Sequence, residues 1–166
     1  SLDSLFVTED LIASDGASSV ASTINTAGYQ TLKTLTYTNV PFYNDGDKFL
    51  ITIAGRFAAN AHLKTIRVAV TDGIVSSSLG GTSYAYQGDF LYKLEFIACD
   101  ISAGKYKTIQ NITNGVQSSI SVSSPSALPT YDYASSSWTF TCEAQESTPT
   151  GADINLYSFD VQLIRK

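Results

Sequence analysis

Phe49-Leu50-Ile51-Thr52-Ile53-Ala54-Gly55-Arg56-Phe57 alternates. Its odd positions read Phe, Ile, Ile, Gly, Phe, while the even positions run out to Thr, Ala and Arg. Successive side chains of an extended chain leave on opposite faces, so a period of two marks a strand with one buried face. A helix would bring every third or fourth residue together and mix the two sets.

The same period recurs on both sides of this stretch. Ile66, Val68 and Val70 share one phase of 65–71. Phe90, Tyr92, Leu94 and Phe96 share another, with Lys93 and Glu95 opposite them. Trp138, Phe140 and Cys142 alternate with Ser137, Thr139, Thr141 and Glu143. Tyr157, Phe159, Val161 and Leu163 alternate within 152–165, the longest clean run, which is expected to lie inside a sheet. Weaker candidates are 29–37, 74–79, 105–112 and 116–122. Turn chemistry separates them: Asn44-Asp45-Gly46-Asp47, Asp72-Gly73, Gly80-Gly81 and Asn114-Gly115, with Pro125 and Pro129 in a long loop from Ser123 to Ser137. Eight to ten short strands without a helical pattern predict an all-β, antiparallel, two-sheet sandwich or barrel.

Residues 1–28 are weakly patterned and read as an N-terminal arm ahead of a domain at 29–166. Within it, 4–8 could be a short strand and Ala13–Ser19 is loop-like in composition. The chain holds no Met and begins with Ser. We therefore expect a complete product whose initiator was removed, with a cleaved secretory product or an excised fragment as the alternatives.

The 166 residues suit one domain. Charged residues make up 15% and the formal net charge is −5. No window is basic, so neither nucleic acid nor an acidic membrane surface is an expected partner. No apolar run reaches the length of a membrane-spanning helix.

Candidate chemistry is sparse. His62 is the lone His and falls between two strands, without a Gly-x-Ser-x-Gly elbow, so it reads as an exposed loop residue. Five of the eleven Asp residues (Asp15, Asp45, Asp47, Asp72, Asp132) fall in expected turns, where Asp bonds its own backbone. Glu95 reads as the surface neighbour of Lys93. Asn44–Asp47 lacks the spacing of a calcium loop. Zinc lacks ligands, and Gly80-Gly81-Thr82 lacks the Lys of a phosphate cradle. Cys99 and Cys142 read as free thiols. No catalytic residue, metal or cofactor is expected. The compositional excess is Tyr, at ten residues. Tyr84, Tyr86, Tyr131 and Tyr133 fall in expected loops, where Tyr can anchor a partner or pack back onto the sandwich.

Two stretches carry a family resemblance. Asn44–Asn60, followed by Lys64-Thr65-Ile66-Arg67-Val68, resembles a pattern of phage virion proteins: a Gly-Asp turn, an alternating strand ending in aromatic-Ala-x-Asn, then a Lys-Thr-Ile-Arg strand. Gly151–Leu163 resembles the last strand of the same group. The resemblance covers roughly 45–165 and implies a jelly roll of the tumour-necrosis-factor kind, assembled as a homotrimer. Such proteins serve as capsid decoration (cement) proteins or as tail-fibre tips, so the resemblance supplies no catalytic residue. The first expectation is a decoration protein on the virion capsid surface, assembled in the host cytoplasm, with the major capsid protein as partner. Leu2, Leu5, Phe6 and Val7 of the arm would touch the shell. Leu91 and Ile97, opposite the buried face of their strand, would join the four loop Tyr residues at trimer or partner interfaces. The alternative is a receptor- or glycan-binding tip of a tail fibre or spike.

Overall fold

The computed structural model describes residues 8–22, 28–38, 41–84, 87–114, 118–123, 130–135, 137–148 and 153–166; for 8–22, 80–84 and 118 it describes the backbone alone. Among them are ten strands: β1 (Thr8–Ser22), β2 (Gln30–Thr38), β3 (Lys48–Phe57), β4 (Lys64–Thr71), β5 (Ser76–Tyr84), β6 (Gly88–Asp100), β7 (Lys105–Asn114), β8 (Ser118–Val122), β9 (Ser137–Glu146) and β10 (Ile154–Arg165). No helix among them is long and apolar enough to cross a membrane.

All pairings are antiparallel. One sheet runs β1-β10-β3-β6-β7-β8 and the other β2-β9-β4-β5. The pairs β1/β10, β2/β9, β3/β6 and β4/β5 are nested in sequence and fall alternately in the two sheets. A long hairpin rolled up on itself has this pattern, so the sandwich is a jelly roll. The β7–β8 hairpin is an addition that widens one sheet.

Alternation fixes which side chains the sheets trap between them. Ile51, Ile53, Ile66, Val68, Tyr92, Leu94, Phe140 and Phe159 are fully buried. Trp138, also fully buried, lies within 5.1 to 6.0 Å, centroid to centroid, of Phe42, Phe49, Phe96, Tyr131 and Tyr133. Strand β10 lies between β1 and β3, inside the sheet as expected, but a register shift between Leu156 and Ser158 breaks its alternation, so Ile154 and Leu156 are buried and Tyr157 is turned outward.

The segment expected as an arm is, over Thr8–Ser22, an edge strand on β10 of its own chain. The loop-like stretch Ala13–Ser19 lies within this strand, and its composition shows up as a register shift between Gly16 and Ala21. Gly80 and Gly81 do not turn the chain. They fall inside β5, beside an irregularity in its pairing with β4. A glycine can sit there because a bulge tolerates a missing side chain.

Of the aspartates expected in turns, Asp72 and Asp132 accept from backbone N–H groups two or three residues on, whereas Asp15 lies inside β1 and Asp45 accepts from the distant Ile101 N–H at 2.8 Å. Asp72 is buried and accepts hydrogen bonds from the N–H groups of Val75 (2.7 Å), Asp132 (2.8 Å) and Ile74 (2.9 Å). It thereby ties the β4–β5 turn to the segment before β9. Burial by itself would raise its pKa, but these donors outweigh burial and leave the carboxyl below its ordinary value. A depressed folded pKa gives stability that is complete above the unfolded value and is lost as pH falls through the folded one. The urea midpoint of the wild type is therefore expected to fall as pH is taken below about 4. Asp72→Asn should start lower and fall less; equal slopes for the two proteins would refute this.

Candidate binding surfaces and a buried polar cluster

The outer face of the six-stranded sheet is read from its register. Lys48, Ile97 and Lys107 form one row; Leu50, Glu95, Ile109 and Val122 the next; then Thr52, Lys93, Asn111 and Ile120; then Ala54, Leu91 and Thr113. Toward β8 this face becomes apolar: Ile120 is 69% exposed and Val122 65%, while Leu91 is 38% exposed. Leu50, Lys93, Glu95, Ile109, Asn111 and Ile120 line a shallow groove of about 400 Å³. Glu95 faces outward as expected, but its ion pair is with Lys48 across β3.

Strand β8 inverts the usual amphipathy. Ile120 and Val122 share the outer face with Leu50 and Lys93, away from the core. Among the described residues β8 is also the edge of its sheet, and Ser118-Ser119-Ile120-Ser121-Val122 has neither charge nor Pro. Folded proteins usually guard such edges, and uncovered apolar side chains at one mark a contact surface.

The outer face of the four-stranded sheet is different in kind. Thr34 and Thr36 of β2 lie against Thr141 and Thr139 of β9, hydroxyl to hydroxyl at 3.4 and 3.1 Å. At its margin Arg67 donates to Glu143 (2.6 Å) and lies 3.4 Å above the centre of the Tyr29 ring. This is a neutral hydroxyl surface bordered by one aromatic–guanidinium stack.

The candidate contact residues divide. Leu91 is exposed on the outer face as expected. Ile97 shares that face but is only 9% exposed. Its neighbours across the sheet are Lys48 and Lys107, whose aliphatic stems can cover it while their ammonium groups reach water. Tyr131 and Tyr133 are not surface anchors. They are 3% and 1% exposed, with hydroxyls donating to the carbonyls of Val70 (3.1 Å) and Lys105 (2.9 Å). Burial pushes the Tyr131 phenol up to about 12 and raises Tyr133 further. The signal was present: Tyr131-Asp132-Tyr133 alternates, inward, outward, inward. Tyr84 is placed by its backbone at the end of β5. Tyr86 lies outside the described residues, as do Leu2, Leu5, Phe6 and Val7.

Cys99 is half-buried and Cys142 buried, and both are free. Burial pushes the Cys142 thiol up to about 12, which leaves it inert.

His62 is not a free loop residue. Its Nδ1 lies 2.8 Å from Oδ2 of Asp153, whose other oxygen accepts from Asn60 Nδ2 at 2.7 Å. Around this pair Lys64, Glu146 and Asp153 are 0, 1 and 3% exposed. Lys64 Nζ donates to the Asn60 carbonyl (2.9 Å), and the Asp153 N–H faces Glu146 Oε1 at 3.3 Å. Glu146 Oε2 is buried without a hydrogen-bond partner among the described residues. Among the described residues no hydroxyl is hydrogen-bonded to the His62 ring.

No family model matches the chain, and no curated protein does. Among solved structures, it is similar to the CBM2 module of the evolved Dit of Lactobacillus casei BL23 phage J-1: 10% identity, TM-score 0.43, 80% of this chain and 70% of that one. It is also similar to a chain of infectious bursal disease virus Gt strain: 11% identity, TM-score 0.31, 96% of this chain and 42% of the other. Likenesses this distant carry no argument about function.

Proposed function

We propose that this chain is a non-enzymatic binding domain of a phage particle, of the receptor- or glycan-binding kind carried at a tail tip. The phage setting rests on the sequence resemblance. One observation favours tip over shell: Thr8–Ser22 of the expected arm pairs with β10 of its own chain, while Leu2, Leu5, Phe6 and Val7, the residues expected to touch the shell, lie outside the described residues. An arm already paired in its own sheet has fewer residues left to reach a capsid. The hydroxyl face of the four-stranded sheet, with Tyr29 at its edge, is the surface offered to a sugar, since neutral polar groups beside an aromatic ring suit such a ligand. The test is to map the protein in the intact particle and to measure adsorption of the purified protein to host cell walls. Density at the tail with saturable adsorption supports the reading; density on the head shell with no adsorption overturns it.

The homotrimer is part of the proposal, with the outer face of the six-stranded sheet turned toward the three-fold axis. Ile120→Asp combined with Val122→Asp is expected to convert a trimer to monomer in sedimentation at micromolar concentration. The fold should be unchanged, because both side chains are mostly exposed in the single chain. A doubly substituted protein that still sediments as a trimer would remove this face from the interface. Capsid decoration is the second reading, favoured by the same apolar edge. A wild type that sediments as a monomer would leave that edge to another protein, such as the major capsid protein.

A further inference from the structure

The cluster at the start of β4 and β10 goes unused by any binding role, and its composition is unusual. Lys64 and Glu146 are directly opposite in the β4/β9 register. Asp153 sits one residue ahead of β10, with its carbonyl accepting from the Ala58 N–H at 2.8 Å. Asn60 links Lys64 to Asp153, its carbonyl accepting from Lys64 Nζ and its amide donating to Asp153 Oδ1, so an amine and two carboxyl groups share one buried site. A buried ion pair of this kind is costly to keep, since each charge has left water.

We propose that Lys64 and Asp153 condense into an intramolecular amide, with Glu146 as the proton carrier. The amine attacks through its neutral form, and burial favours that form: it holds Lys64 below the ordinary lysine value, although Asp153 and Glu146 pull the other way. Donors on both Asp153 oxygens, Asn60 Nδ2 and His62 Nδ1, withdraw electron density from its carboxyl carbon and would steady the negative charge that develops on attack. Lys64 first gives its ammonium proton, through the unpartnered oxygen of Glu146, to one Asp153 oxygen, so that a neutral amine meets a neutral carboxylic acid. Nζ then forms the new bond to Cγ, and the tetrahedral centre passes its surplus proton to the same Glu146 oxygen. Glu146 returns that proton to the departing Asp153 oxygen, the C–O bond breaks and water leaves. The balance is complete: one ammonium and one carboxylate become one amide and one water, without oxidant, metal or external acid. The exclusion of water that makes the ion pair costly then protects the product from hydrolysis. The bond would join β4 of the four-stranded sheet to the entry of β10 in the six-stranded sheet, a covalent tie between the layers.

The experiment is an intact mass of the purified full chain under denaturing conditions, followed by a tryptic map. The expected result is a mass lower than that of the sequence by one water, with a branched peptide linking Lys64 to Asp153. Lys64→Met and Glu146→Gln should each show the full mass of their sequence. The wild-type measurement stands even where a variant fails to fold. An unmodified wild-type mass overturns the proposal, a branch at Glu146 overturns the choice of acceptor, and complete cross-linking in Glu146→Gln overturns its role.

Discussion

Trp138→Ala is expected to destabilise the chain by about 4 kcal/mol, within the range for emptying a large aromatic site in a core. The indole is fully buried and lies between both sheets and the loop tyrosines, against Phe42, Phe49, Phe96, Tyr131 and Tyr133. Rings held at these separations contribute beyond their buried area, and their cavity cannot close without moving two strands. Trp138→Phe is the informative companion. It keeps most of the volume and removes an indole N–H that is buried without a partner among the described residues. An unpaired buried donor is itself destabilising, so the Phe variant should lose no more than about half as much. Urea unfolding followed by circular dichroism measures both. Equal losses for Ala and Phe would mean that indole geometry rather than volume is what the core requires.

Asp47→Ala should rank second, at about 3 kcal/mol, because it strands several donors at once. The carboxylate is fully buried. Oδ2 accepts from the N–H groups of Tyr43 (2.9 Å) and Asn44 (3.1 Å), and Oδ1 from that of Lys166 (2.8 Å). Arg165 stands 3.9 Å away, donates to the Pro41 carbonyl and lies over the Tyr43 ring. One side chain thus shapes the turn before β3 and fastens the end of β10. Gly46 within this turn has φ of 97°, a left-handed conformation that favours glycine. Besides the lowered urea midpoint, amide exchange should quicken at 163–166 well before it does in β6. Unchanged protection there would show that β10 is held by its sheet neighbours alone.

These sites show what the sequence could and could not reveal. The five strong strands were legible because each has one wholly apolar phase, as in Phe49 to Phe57. β1 was not, because an edge strand with a broken register needs no clean alternation. Tyr131 and Tyr133 were misplaced because composition, rather than phase, was used to assign their loop. The polar cluster was hidden for the opposite reason. Lys64 continues the inward phase of Ile66, Val68 and Val70, and Glu146 continues that of Phe140, Cys142 and Ala144. Charged residues in an inward phase look like strand ends, so the expected strands begin at Thr65 and stop at Glu143, short of both. Nothing local in the sequence brings Asp153 to His62; only the packing of β10 does.

The order of strands has a consequence for biosynthesis. β9 separates β2 from β4, and β10 separates β1 from β3. A nascent chain still lacking these last two strands therefore holds two incomplete half-sheets with open edges on the ribosome. Neither sheet is complete until residues 137–165 emerge, and during that interval its unpaired strand edges are open to mispairing.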